Sequence, residues 1–370
     1  MVGKLRPMLI ANHTDFDIQH THTHTEEKPL YDDKYGDEIL RKHGPIQCTS
    51  SEEFRTIEDF AKKVEIIIQS CNRSEYCASI ALMEAPEIPK PDGQSQLFET
   101  AVRFPNRIGM KIALGMFAGH TAAITWTDQG ASCEQGIRKV LTWFPNTKAI
   151  LGVGMAYGMK KDAVKFCDVL VASQIADFGS QPRAQDGGIY ARGGSVDTKT
   201  TLKNIFCKDD TLWNFQCTAE KRSAKVVIGQ LVSAPFLLDD PKMKQSIQEQ
   251  CKFAKGGEME GWILYNHIVN DQDILKDHPN LEAIIIKGVA DYADGGKDKR
   301  WQLTAAMAAA SYTHFQLKQS TALRGTSILY VGYCSSGFDT SCNRELMLNN
   351  FNMDQLVVWQ STHYTLPTIS

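Results

Sequence analysis

Ile284-Ile285-Ile286-Lys287-Gly288-Val289-Ala290-Asp291-Tyr292-Ala293-Asp294 reads as a buried strand that runs into a turn carrying two carboxylates. A continuous apolar run ended by a glycine and polar residues suits a strand covered on both faces. The polar segment Gly295 to Arg300 follows, and a helix is predicted from Trp301. A strand of this kind places an acid at the carboxyl edge of an α/β sheet, where such folds bind ligands. Asp291 is therefore the first candidate for chemistry. Read alone, Asp291 or Asp294 equally well closes the turn or caps the next helix.

At 370 residues the chain can form one large domain with extensions. Its 42% apolar and 22% charged residues are those of an ordinary globular protein, and a net charge of -3 argues against a general nucleic-acid binder. The start turns polar before a signal-peptide core can form, and no apolar run approaches the ~18 residues of a membrane span. A cytoplasmic protein without membrane or nucleic-acid partners is expected. The ten cysteines show no metal-finger spacing and read as buried thiols. His20, His22 and His24 alternate, which a strand would align on one face, but a solvated extension is the expected reading. No metal or cofactor is expected.

From Ser51 to about Cys71, apolar residues at three- and four-residue spacing predict an amphipathic helix. Strand-like runs then alternate with helical ones: strands at 77–83, 109–117, 122–126, 149–154, 169–175, 225–233 and 283–290, and helices at 132–143, 241–253, 258–268 and 301–317. This alternation predicts an α/β fold with a mixed sheet flanked by helices. Composition divides the chain into a polar extension and helix (1–75), a main domain (76–325) and a C-terminal extension (326–370).

Four further segments place reactive or ligand-facing groups at element ends. Closely spaced glycines in Ile150 to Met159 let a ligand approach the backbone, without the ending of a P-loop or the spacing of a dinucleotide fingerprint. Gly257-Glu258-Met259-Glu260-Gly261 opens a predicted helix with two acids; Glu258 suits its first turn, whereas Glu260 faces the sheet and needs a partner. The segment from Ala78 to Glu87 is read as a strand ending in Glu84 and Glu87, and Phe236 follows a strand as a core or stacking ring.

Taken in order, these segments resemble the nucleoside phosphorylase/nucleosidase superfamily, particularly its methylthioadenosine/S-adenosylhomocysteine nucleosidase-like branch. The likeness spans about residues 76 to 320 and rests on Met259-Glu260, on Lys287 to Asp294 followed by Trp301, and on Gly154 to Gly158 followed by Cys167 to Val171. It implies a three-layer α/β/α sandwich with a mixed central sheet, a small-molecule purine substrate and a homo-oligomer, dimeric or higher. It also implies roles. Asp291 would act on N7 of the purine, easing departure of the base from an oxocarbenium-like ribose. Met259 and Glu260 would cover the ribose, and Phe236, Met155 and Ala156 would line the base.

Glu87, with Lys287, is expected to place the attacking water. A carboxylate there repels phosphate, so the resemblance favours a hydrolase over a phosphorylase. The sequence departs from the family pattern at Ala290, where Ser is frequent, at Lys287, where Arg is, and at Leu82 and Met83, which replace small residues. Arg183 and Arg192 lie in a glycine-rich segment where the family builds its 5′ pocket, and guanidinium groups suit phosphate. The expected substrate is accordingly a purine nucleotide, ATP foremost. Immune and antiviral members of the superfamily include enzymes that resemble ATP nucleosidases. A phosphorylase, a methylthioadenosine/S-adenosylhomocysteine nucleosidase and a silent nucleotide sensor are the alternatives.

Overall fold

The computed structural model describes residues 31–90, 96–106, 109–179, 183–185, 188–190, 194–208, 212–217, 220–296, 299–320 and 322–323. His20, His22, His24, Arg192 and the 326–370 extension lie outside these residues, and of Arg183 the backbone alone is described.

The helices are α1 (Tyr31–His43), α2 (Ser51–Ala61), α3 (Arg73–Ile80), α4 (Cys133–Trp143), α5 (Thr200–Phe206), α6 (Pro241–Gln250), α7 (Gln272–Asp277) and α8 (Gln302–Gln319). The first strands are β1 (Ile66–Ser70), β2 (Val102–Arg103), β3 (Lys111–Phe117), β4 (His120–Trp126), β5 (Ala149–Gly158) and β6 (Val169–Asp177). They are followed by β7 (Arg183–Gln185), β8 (Gly188–Tyr190), β9 (Ser195–Asp197), β10 (Gln216–Cys217), β11 (Arg222–Ser223), β12 (Val226–Ser233), β13 (Ala254–Glu258) and β14 (Glu282–Asp291).

The main sheet runs β13-β12-β6-β14-β5-β1-β4-β3-β2. It is mixed: β1 is parallel to β4 and β5, β5 to β14, and β12 to β6 and β13, whereas β14 is antiparallel to β6 and β3 to β4. Because β13 also pairs with β5, the strands β5, β14, β6, β12 and β13 close into a ring. Alternation along β1 shows how the sheet is covered. Ile66 and Ile68 join a core shared with α3 and α8, and Ile67 joins another shared with α2 and α4. Among the described residues no helix is long and apolar enough to cross a membrane.

Most expected elements form, with four differences. The helix expected over 51–71 ends at Ala61, and Ile66–Ser70 is a fully buried strand in the middle of the sheet. Its Ile-Ile-Ile-Gln-Ser run prolongs the helical spacing by chance, while parallel neighbours on both sides make it a strand. The main sheet therefore takes a strand from before residue 75. The strand expected over 77–83 is α3, capped by Asn72 through a 3.0 Å bond from Glu75 N–H. The helix expected from Glu258 begins later: Glu258 ends β13, and a π-helical segment follows at Ile263–Ile268.

Candidate active site

A cleft opens where β1, β5, β12, β13 and β14 end, lined among others by Cys71, Glu75, Met155, Ala156, Phe236, Glu258, Met259, Glu260 and Asp291. Segments separated by more than two hundred residues meet here because parallel crossovers bring strand ends to one edge. Asp291 is the last residue of β14, and its Oδ1 accepts the Ala293 N–H at 2.9 Å. That bond requires the chain to double back at once, and Ala293 does so at φ +49°, in the left-handed region.

The charged centre is Lys287, four residues earlier on β14 and 1% exposed. Its Nζ lies 3.3 Å from Glu260 Oε2 and 3.5 Å from Glu75 Oε1. Burial works against the lysine charge, but Glu75 and Glu260 outweigh it and hold the pKa above the ordinary lysine value. Glu260 Oε1 also accepts the Gly130 N–H at 3.1 Å, so each of its oxygens has a donor. Glu75 accepts Met155 N–H at 2.8 Å on Oε1 and Cys71 N–H at 2.7 Å on Oε2. Burial pushes its pKa up; Lys287 opposes the rise and Glu260 adds to it. Gly154 makes room for this carboxylate, because a Cβ there would overlap Glu75 Oε1.

Met155, Ala156, Phe236, Met259, Glu260 and Asp291 thus come together around one cleft, with Lys287 beneath it. Glu87 does not join them. It is exposed in the segment after α3 and is absent from the cleft lining, and the acid beside Lys287 is Glu75. The physical reason is the misread element: with 73–80 helical, the start of that segment faces the site and its end points away. For the same reason Leu82 and Met83 are not at the end of the first strand; Ser70 and Cys71 are. Sequence reasoning could have found Glu75, since an acid three residues after Asn72 marks a capped helix start. It also passed over Cys71, a buried thiol in the lining whose pKa burial drives well up, leaving it unsuited to nucleophilic attack.

The group offers hydrogen-bond acceptors and negative charge at one buried edge of the cleft. Buried carboxylates around one ammonium offer acceptors to hydroxyls and negative potential to a developing cation, and Asp291 stands at the rim as a proton donor or acceptor.

No family model matches the chain. It is 28% identical over 287 residues to a death domain-containing ATP nucleosidase of Amphimedon queenslandica, a match covering 71% of this chain. The match takes in 50% of that protein, so the chain spans about half the length of the curated relative. In structure it is similar to a 5′-methylthioadenosine/S-adenosylhomocysteine nucleosidase from S. pneumoniae solved with a transition-state inhibitor, with a TM-score of 0.52 and 13% identity, over 69% of this chain and 99% of that one. A futalosine hydrolase mutant of Helicobacter pylori matches with a TM-score of 0.50 and 15% identity, over 70% of this chain and 100% of that one. The chain therefore shares the fold of these two structures.

Proposed function

We propose that the protein hydrolyses the N-glycosidic bond of an adenine nucleotide, with ATP the best substrate, so that water replaces adenine and the ribose keeps its 5-phosphates, the 5-triphosphate in the case of ATP. The observation that carries this reading is the bridge Glu75–Lys287–Glu260, whose lysine lies on the strand that ends in Asp291. Asp291 protonates the purine at N7. Glu260 accepts the ribose hydroxyls while Met259 packs on the sugar, and Phe236, Met155 and Ala156 line the base. Glu75 takes a proton from the attacking water, and the neighbouring Lys287 ammonium favours the carboxylate form that this requires. Similarity to an ATP nucleosidase supports the choice of substrate. Arg183 and Arg192 supply the positive charge that a 5′-polyphosphate requires.

Hydrolysis is favoured over phosphorolysis because no arginine or lysine is among the described cleft-lining residues, and the nearby Lys287 is engaged by two carboxylates. Inorganic phosphate would meet Glu75, Glu258 and Glu260 instead. The arrangement is read as a three-layer α/β/α sandwich acting as a homo-oligomer, with residues 326–370 as an extension. The test is to incubate the protein with ATP, AMP, adenosine, inosine or methylthioadenosine, with and without phosphate, and to follow free base by chromatography. Adenine released from ATP without phosphate is the expected result. A strict phosphate requirement would make it a phosphorylase, and a preference for methylthioadenosine would remove the polyphosphate reading.

A further inference from the structure

Glu258 is 5% exposed, lines the cleft, and has no part in the roles assigned above. Its carboxylate is turned onto its own chain. Oε2 accepts Glu260 N–H at 2.9 Å and Gly261 N–H at 2.8 Å, and Oε1 lies 3.0 Å from the same Gly261 nitrogen. Ser233, at the end of β12, donates its hydroxyl to Glu258 and accepts Trp262 N–H at 2.9 Å. Two side chains thus take up three successive backbone N–H groups, those of residues 260, 261 and 262, at the point where β13 gives way to helix. The first of these belongs to Glu260, whose carboxylate must reach Gly130 in one direction and Lys287 in the other.

We propose that Glu258 is a positioning residue: by holding the Glu260 and Gly261 N–H groups it fixes the Glu260 carboxylate in the place that receives the ribose hydroxyls. The proposal rests on the ribose role given to Glu260 above. A cap could be supplied by any serine or aspartate at an exposed helix start. A fully buried carboxylate placed two residues from another is a costly way to cap a helix, and Glu258 is costly. Burial, then the neighbouring Glu260, push its pKa up to about 7, against the pull of Lys287. The groups facing it are Glu260 on its own segment, Lys287 on β14, Ser233 on β12, Cys133 on α4, Tyr157 on β5 and Tyr265 in the π-helical segment. Near neutral pH Glu258 is poised to take up a proton, and the protonated acid is a poorer acceptor for the two N–H groups. Lowering the pH through about 7 should therefore loosen Glu260 and raise KM.

The role can be separated from simple capping by asking whether the effect depends on the ribose hydroxyls. Adenine release, or calorimetric binding if none is released, is measured with ATP and with 2′,3′-dideoxy-ATP, for the wild type and for Glu258→Gln. The amide keeps the shape but presents an NH2 group to one of the donors. The expected result is a roughly tenfold rise in KM or Kd for ATP, with little change for the dideoxy nucleotide, so that the preference for the hydroxylated ligand shrinks. Equal weakening of both nucleotides, or no change in either, overturns the proposal. Absence of adenine release from wild type refutes the hydrolase reading alone, since the binding comparison still reports on Glu258. Should Glu258→Gln fail to fold, the same comparison of ATP with the dideoxy nucleotide is made on Glu258→Asp, whose shorter carboxylate cannot hold both N–H groups: equal weakening of both nucleotides, or no change in either, overturns the proposal.

Discussion

Two residues of β14 carry the sharpest expectations. Asp291→Asn keeps the shape and the bond from Ala293 N–H but has no proton to give the base. Adenine release should fall by about two to four orders of magnitude, the usual scale for loss of a general acid, with the melting temperature nearly unchanged. Rates above a tenth of wild type would take the purine role away from Asp291. Lys287 presents the opposite balance. Its ammonium is all but sealed from solvent between Glu75 and Glu260, so Lys287→Met leaves two buried carboxylates facing one another. Losing one member of a buried charge group costs about 3–5 kcal/mol, and that loss should show in denaturant unfolding. Double substitution with Glu75→Gln should recover part of it, because one of the stranded charges is then gone.

At the scale of elements, much of the site was legible in the sequence and one part was not. The strand end at Asp291, the Met259-Glu260 pair and the turn at Met155-Ala156 could be read because each follows a run whose period or burial is unambiguous. The residues from Ile66 to Ile80 could not. Three isoleucines after a helix continue its spacing, and the residues that follow are small and apolar enough to pass for a strand. Local pattern therefore favoured helix then strand where tertiary pairing with β4 and β5 gives strand then helix. The misplaced element put the expected water-side acid at Glu87, whereas the acid beside Lys287 on that segment is Glu75. It also yields a direct contrast: Glu75→Gln should lower adenine release by at least about two orders of magnitude. Glu87→Gln, an exposed change, should stay within about twofold, the reach of a ±0.5 kcal/mol surface effect. Equal losses from both would return the water to the end of that segment.

Taken as a whole, the molecule gathers three carboxylates at a buried strand edge around one ammonium, and this arrangement should leave a mark on global stability. Glu75 and Glu258 both have their pKa raised by burial, Glu258 to about 7. A carboxyl group whose pKa is higher folded than unfolded binds more protons in the folded state. Its contribution is fully present below the ordinary carboxylate value of roughly 4.3 and is lost as pH rises through the folded value. Stability should therefore decline between about pH 5 and 8 on account of Glu258, and the raised pKa of Glu75 acts in the same direction. His314 acts in the other sense, since burial lowers its pKa to about 4 and stability is gained as pH rises from there towards the ordinary histidine value. Glu134 and Asp271 are held below the usual range, so their contribution is already complete by about pH 5. The histidine cancels when wild type is compared with Glu258→Gln across the same pH series. The urea midpoint of the wild type should fall more steeply than that of the variant from pH 6 to 8. Parallel curves would mean that Glu258 does not titrate in that window, and the acid-side rise in KM would then need another group.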